Sequence, residues 1–309
     1  MDFNTGVVVG ICIARGKKGG GGGGSTSDIW KPPSHWLQIP EPADNQAIFY
    51  IEVENANQLI FPIQFWDDNN KYGGGTIDWG DGHTDIIPQD YSYICSHPYS
   101  SAGQYIVTAT CNYAYGVSVN YDTANYIFNK EYSNNPSVTG KYQLKAIKVG
   151  QNVKLKNYVS GYNNEYANGI IYIKLAGYPG EDVDFKELKS LQKIDFAVSP
   201  MKLHTYAFQN CYSLQEVGTL DGVAELPTGT FQNCHSLKKI SLPSVTSISD
   251  ASVFEKCYSA TEISIPQVTS ISTSEFYCCY GLRKLTTAEG CNYNGNVFHY
   301  CPALYPKPQ

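Results

Sequence analysis

Charge is scarce in this chain. Only 16% of its 309 residues are Asp, Glu, Lys or Arg, with 22 basic against 28 acidic residues and a formal net charge of −6 at pH 7. Without clustered Lys and Arg there is little to grip a phosphate backbone, which argues against nucleic acid as a partner. Long apolar runs are missing as well, since no stretch reaches the ~18 residues that a membrane-spanning helix needs. The longest apolar stretch near the start, Gly6 to Ala14, is followed rather than preceded by Arg15, Lys17 and Lys18. A secretory signal has the opposite polarity, so the ordinary export route is not expected. There is no C-x-x-C pair, no Cys/His cluster at zinc spacing and no nucleophile elbow, and the six histidines are scattered. Neither a catalytic site nor a cofactor is expected.

What the chain does have is aromatic and small polar residues: 25 Tyr, 28 Gly and 10 Cys. A Tyr-rich, Asn-rich composition favours adaptable contact surfaces over charged solvation. In the C-terminal third one pattern, Phe-x-x-Cys-x-x-Leu, returns five times, with Ala260 in place of Leu in the third: Phe208-Cys211, Phe231-Cys234, Phe254-Cys257, Phe276-Cys279 and Phe298-Cys301. Successive cysteines stand 23, 23, 22 and 22 residues apart. A fixed period of that length marks stacked repeats. Within one unit, apolar residues at steps of three (Phe231, Cys234, Leu237, Ile240) predict a short helical turn. The step of two to Leu242 predicts a brief strand, which Pro243 closes. Each unit offers several inward residues and no partner of its own, so neighbouring coils must complete the core.

These residues resemble the leucine-rich repeats of the bacterial surface-antigen (BspA-like) type, whose units carry the same turn, a strand ending in Leu-Pro and a Val-Thr-x-Ile stretch. Val245-Ile248 and Val268-Ile271 supply that last element. A degraded unit precedes them, with Phe185, Leu188, Leu191 and Ile194 in frame 23 residues before Phe208. Ile147 and Ile171 are expected at strand positions of further coils. Equivalent positions in a solenoid stack at about 4.8 Å, so the repeat cysteines read as a ladder of small buried thiols. Disulfide or metal ligation is the alternative. Of Cys278 and Cys279, one is expected in the ladder and the other exposed, because adjacent residues point in different directions.

Upstream, apolar strands at Ala47 to Val53 and Leu59 to Trp66 are separated by Gly and Asn turns from an alternating strand at Gln104 to Thr110, which indicates a β-sandwich. The run Asp78-Trp79-Gly80-Asp81-Gly82, followed by His97-x-Tyr99 and a Tyr-x-Val-Thr strand, looks like the polycystic-kidney-disease-type (PKD-like) sandwich. The resemblance implies a structural motif, with Trp79 in the core and Gly80-Asp81-Gly82 in a tight hairpin. Asp78, Asp81 and Asp85 as a calcium site are the competing reading, and the spacing of a dedicated twelve-residue loop is absent.

The whole chain is therefore expected to be mainly β with short helical turns: an anchor segment at 1–18, a polyglycine linker at 19–28, a PKD-like sandwich at 29–140 and a BspA-like solenoid at 141–309. Val7 to Val9, Ile11 and Ile13 look like a lone strand that must find a sheet elsewhere, and Gly19 to Gly24 cut it off from the rest. A strand-like start, a polyglycine hinge and then Ile29-Trp30-Lys31-Pro32 are similar to virion-attached proteins of tailed phages of gut bacteria. That resemblance implies a homo-oligomeric virion protein, anchored to other virion proteins through residues 1–18. The alternative is a bacterial cell-surface adhesin. In either case the position after each repeat cysteine, Tyr212, His235, Tyr258 and Tyr280, is the expected contact for a surface glycan or protein.

Overall fold

The computed structural model describes residues 30–56, 63–66, 73–89, 95, 97–112, 116–119, 144–155, 169–177, 184–249, 251–272, 274–306 and 308. The expected anchor and linker, and the expected domain boundary at 140, lie outside them. The described residues contain strands and turns and no α-helix. Pro32–Gln309 form one unit.

Its first part is built from β1 (Gln46–Val53), β2 (Ile63–Trp66), β3 (Gly75–Asp78), β4 (Thr84–Ile87), β5 (Gly103–Cys111) and β6 (Gly116–Val119). β1 pairs antiparallel with β5, β5 with β3, and β3 with β4. β2 pairs with β6 in a second sheet. The two sheets meet face to face: the Phe65 ring of β2 lies so close over Gly75 of β3 that an added Cβ would sit 2.7 Å from it. Phe49, Ile63, Phe65, Ile77, Trp79, Val107 and Val117 fill the space between them.

The sheet does not stop where the sandwich does. On the other edge of β1, β7 (Leu144–Val149) pairs antiparallel, and β9 (Tyr172–Leu175), β10 (Lys193–Phe196) and β11 (Glu216–Val217) then add in parallel. The outcome is one eight-stranded sheet in the order β11-β10-β9-β7-β1-β5-β3-β4. β8 (Lys154–Leu155) meanwhile adds in parallel to β6 in the second sheet. Phe49, Ile147, Ile173 and Ile194 occupy successive paired positions and are fully buried, so the sandwich core passes into the coil core without a polar break. The strand residue of the second coil is thus Ile173. Ile171, expected in that role, precedes β9 and instead lends its carbonyl to the amides of Gln192 and Lys193.

The junction is also strapped from outside. Residues 32–43 cross the outer face of the sheet, with the Trp36 ring 4.8 Å from that of Tyr50. Glu41 on this strap grips Lys148 of β7 at 2.9 Å and Lys174 of β9 at 2.8 Å, one carboxylate oxygen to each. Lys148 is buried and also donates to the Ile39 carbonyl, while Glu41 is largely exposed, so solvent screens the carboxylate side of the pair.

Beyond β11 the coils repeat. Along one side, β13 (Lys239–Ser241), β15 (Glu262–Ser264) and β17 (Lys284–Thr286) pair in parallel. Along another, β12 (Glu225–Leu226) pairs with β14 (Ser247–Ile248), and β16 (Ser270–Ile271) with β18 (Asn292–Tyr293). The Phe rings of six coils, Phe185, Phe208, Phe231, Phe254, Phe276 and Phe298, form one stack with centroids 5.3 to 6.0 Å apart.

The turns after each Phe are held by i to i−3 bonds, such as Cys211 to Phe208 and Leu214 to Cys211. They never grow into a helix, because the residue before each cysteine is left-handed: Asn210, Asn233, Lys256, Cys278 and Tyr300, with φ between 58° and 62°. Four of these five hand their amide to a carbonyl of the next coil: Asn210 bonds to Gln232, Asn233 to Glu255, Lys256 to Tyr277 and Cys278 to His299. The left-handed step therefore exchanges an intra-turn bond for an inter-coil one. Asn tolerates this conformation best after glycine, and Asn210 and Asn233 also bond side chain to side chain at 2.6 Å.

Candidate functional site

The repeat cysteines are interior. Cys211, Cys234, Cys257, Cys279 and Cys301 are buried, and each Sγ lies 3.0 to 3.2 Å from a Phe carbonyl of the preceding coil, to which its thiol donates. The carbonyls of Phe208, Phe231, Phe254 and Phe276 already accept from the amide three residues on, so the thiol adds a second bond that ties one coil to the next, which alanine or valine could not supply. Burial pushes the Cys211, Cys234 and Cys257 thiols well up, and the Cys279 thiol is raised first by its bond with Cys301 and then by burial. Thiols held protonated in this way are poor nucleophiles and poor metal ligands. All nine cysteines among the described residues are free. The expectation that one of the Cys278-Cys279 pair is exposed does not hold: Cys278 is buried too. Its left-handed backbone turns the thiol under the Tyr280 hydroxyl, which donates to it at 3.4 Å.

At the sandwich tip, every carboxylate already has work. Asp78 accepts from the Gly80 amide at 2.9 Å and Asp81 from the His83 amide at 3.0 Å, closing the β3-β4 hairpin with Gly80 at φ 80° and Gly82 at φ 95°. Asp85 accepts from Trp79 Nε1 at 2.8 Å, and Trp79 is fully buried. Asp81 also holds His97 at 2.8 Å, which stacks between Trp79 and His83. Tyr99 donates to the Trp79 carbonyl at 2.6 Å. His97 and Tyr99, the His-x-Tyr pair that follows the Asp-Trp-Gly-Asp-Gly run in sequence, are thus structural parts of the tip. Among the described residues, no group of three or more His, Cys, Asp or Glu is placed to hold a metal ion.

The surface feature is an aromatic row. Tyr212, His235, Tyr258 and Tyr280 follow successive cysteines and stack with centroids 4.8, 4.5 and 5.3 Å apart. Backbone bonds between the next residue and the rung before it, such as Ser236 to Tyr212 and Ser259 to His235, hold the row in register. Burial, with Lys256 nearby, holds His235 below the usual imidazole range, so it serves as an uncharged aromatic rung. Stacking has a chemical consequence: inside the row each ring face is covered by the next ring, leaving edges and hydroxyls for a partner.

The row ends differently from how it runs. After Cys301 comes Pro302, not an aromatic residue, so no described ring beyond Tyr258 stacks on Tyr280. In that gap lies a cavity of about 300 Å³ lined by Tyr280, Tyr300, Cys301, Pro302, Leu304 and Tyr305. Tyr280, Tyr300 and Tyr305 are 49%, 54% and 90% exposed, high values for large aromatic side chains. Tyr300 and Tyr305 were not singled out from sequence. The available signal was Tyr300 itself, a bulky ring at the left-handed position that Asn occupies in two other coils. The paired strands carry alternating charge instead, with Glu262 bridging Lys239 at 3.4 Å and Lys284, and Lys193 bridging Glu216 at 3.0 Å. That face is self-compensated.

Comparison with known proteins fits the repeat geometry. Residues 181–305 match the family described as BspA type leucine rich repeat region, in six copies, which is the number of stacked Phe rungs. A leucine rich cell surface protein from Faecalibacterium prausnitzii A2-165 is 22% identical over 53% of this chain, with a TM-score of 0.28, and the match spans only 39% of that protein. A leucine rich repeat protein of T. pallidum is 17% identical over 52% of this chain and 84% of its own, with a TM-score of 0.28. One from Bacteroides ovatus ATCC 8483 is 14% identical over 75% and 80%, with a TM-score of 0.25. No curated protein matches. Among the described residues no helix is long and apolar enough to cross a membrane. Residues 181–305 of this chain are thus similar to BspA type leucine rich repeats.

Proposed function

We propose that the chain is a non-enzymatic adhesion module whose solenoid presents the aromatic row Tyr212-His235-Tyr258-Tyr280 and its open end to a surface glycan or protein. The observation that carries the reading is that row: large aromatic side chains kept partly exposed, in register, on a rigid repeat. Solenoids supply extended binding surfaces, and tyrosine combines apolar area with a polar tip. The raised thiols and the occupied carboxylates of Asp78, Asp81 and Asp85 weigh against chemistry at either place.

Bacterial surface presentation is supported by the repeat type. Mounting on a tailed-phage virion, as a homo-oligomer anchored through residues 1–18, rests on the strand-like start and polyglycine hinge, which lie outside the described residues. The PKD-like reading of the sandwich is supported by Trp79 in the core and the Gly80-Asp81-Gly82 hairpin.

The test is retention of fluorescent full-length chain on intact gut bacteria and on mucin-coated plates, beside a Tyr212→Ser/Tyr258→Ser variant of unchanged melting temperature. We expect the variant to lose most retention. Equal retention, or release of sugar from the coated plate, sinks the proposal. Antibody labelling of intact cells and of purified particles then separates the two mountings.

A further inference from the structure

The aromatic row has a vacancy at its end, and its shape and chemistry define an occupant. Four rungs follow four successive cysteines, each covering the face of the one before at 4.5 to 5.3 Å. At the fifth cysteine, Cys301, the rung is Pro302, and the space a fifth ring would take is the cavity of about 300 Å³. That volume is at the lower bound of small-molecule sites. Its floor is apolar, formed by buried Cys301 and Leu304, and its walls are the rings of Tyr280, Tyr300 and Tyr305.

Two of the walls are held in place before anything binds. The Tyr300 ring stacks on His299 at 4.1 Å and meets the edge of Tyr277 at 5.6 Å. The Tyr280 hydroxyl donates a hydrogen bond to Cys278, which leaves its oxygen to serve as an acceptor. Prefixed walls reduce the ordering cost of binding. Among the described residues no Asp, Glu, Lys, Arg or His lines the cavity, so no charged side chain among them pairs with a charged ligand, and an unpaired charge is costly to desolvate.

The occupant must therefore be uncharged, ring-sized, apolar on one face to cover Tyr280, and hydroxylated at its periphery to meet the tyrosine hydroxyls at the rim. We infer that the hollow formed by Tyr280, Tyr300, Pro302 and Tyr305 binds a single neutral pyranose unit of a glycan, seated as the fifth rung of the aromatic row. This deepens the adhesion reading and rests on it: the row supplies edges for a broad contact, and the hollow supplies a concave site where a sugar ring can stack on an open aromatic face.

The test uses the full chain and saturation-transfer NMR with methyl glycosides of glucose, galactose, mannose and N-acetylglucosamine, and methyl glucuronide as the charged counterpart. We expect at least one neutral glycoside to bind with a Kd on the order of 1 mM, as suits one sugar ring. Methyl glucuronide should bind at least tenfold more weakly. Tyr305→Ser should weaken the neutral glycoside at least fivefold, and Pro302→Tyr, which supplies the missing rung, should abolish its signal. Ile86→Ser, an exposed position on β4 outside the row, should leave it unchanged.

No signal from any neutral glycoside, or one that persists in Pro302→Tyr, overturns the inference, as does a proline-rich peptide that binds in its place. Retention of the Pro302→Tyr chain on mucin, with no glycoside binding by the parent, overturns the inference alone and leaves the adhesion reading standing. Loss of mucin retention in Tyr212→Ser/Tyr258→Ser together with intact glycoside binding supports both.

Discussion

The ring of Phe231 is the centre of the aromatic stack, and replacing it tests whether the coils stabilise one another as neighbours. It is fully buried, with Phe208 at 5.3 Å and an interplanar angle of 1° on one side and Phe254 at 5.6 Å and 11° on the other. Phe→Ala in a packed interior costs about 3–5 kcal/mol, and loss of two ring contacts places Phe231→Ala at the upper part of that range. The terminal rung is the control. Phe298 is slightly exposed, at 8%, and faces Phe276 at 6.0 Å on one side, with Tyr293 tilted against it at 5.3 Å. With a single stacked partner and more room to relax, Phe298→Ala should cost about half as much, roughly 2 kcal/mol. Urea titration followed by far-ultraviolet circular dichroism reads both. Against a total stability of about 5–15 kcal/mol, the interior variant should show a large fall in midpoint or fail to fold, while the terminal one stays folded. Equal losses, or a larger loss at Phe298, would refute nearest-neighbour stacking as the source of stability.

The aromatic row and the hairpin each carry a further expected outcome. His235 is held below its ordinary value by burial, so on acidification the unfolded chain takes up the proton first. Its contribution is undiminished above the unfolded value of about 6.5 and declines as pH falls through that value toward the lower folded one. His235→Tyr, which copies the other rungs, should therefore lose less of its urea midpoint than the parent between about pH 7.5 and 5; identical losses would show that this rung does not titrate as described. At the hairpin, Gly80 and Gly82 both have positive φ, yet a Cβ at Gly80 would meet the Ile106 carbonyl at 2.5 Å and one at Gly82 would meet nothing within 4 Å. Gly82→Ala should cost about 1 kcal/mol for its backbone alone, and Gly80→Ala at least twice that; thermal melts giving the reverse order would discredit the packing described for the tip.

The repeat was legible because its physics is local and periodic. Phe208 to Leu304 recur at the coil length, and a residue that must stack on its copy in the next turn has to be the same kind of residue. For the same reason Tyr212, His235, Tyr258 and Tyr280 could be picked out as one surface row. The Asp78-Trp79-Gly80-Asp81-Gly82 run was also readable, since a two-glycine turn beside a buried aromatic leaves few conformations.

The sequence by itself determined the coil period, the buried thiols, the hairpin and the row of exposed rings. Only the tertiary structure decided how these meet. That β7 would join β1 and fuse sandwich and solenoid into one sheet depends on pairing between strands some hundred residues apart, which leaves no periodic trace. The left-handed residue before each cysteine is spelled Asn, Lys, Cys and Tyr in different coils, because an inter-coil amide bond constrains the backbone and not the side chain. For that reason the buried side of Cys278, and the hollow where Tyr300 and Tyr305 meet the uncovered face of Tyr280, emerge only once the turns are wound on one another.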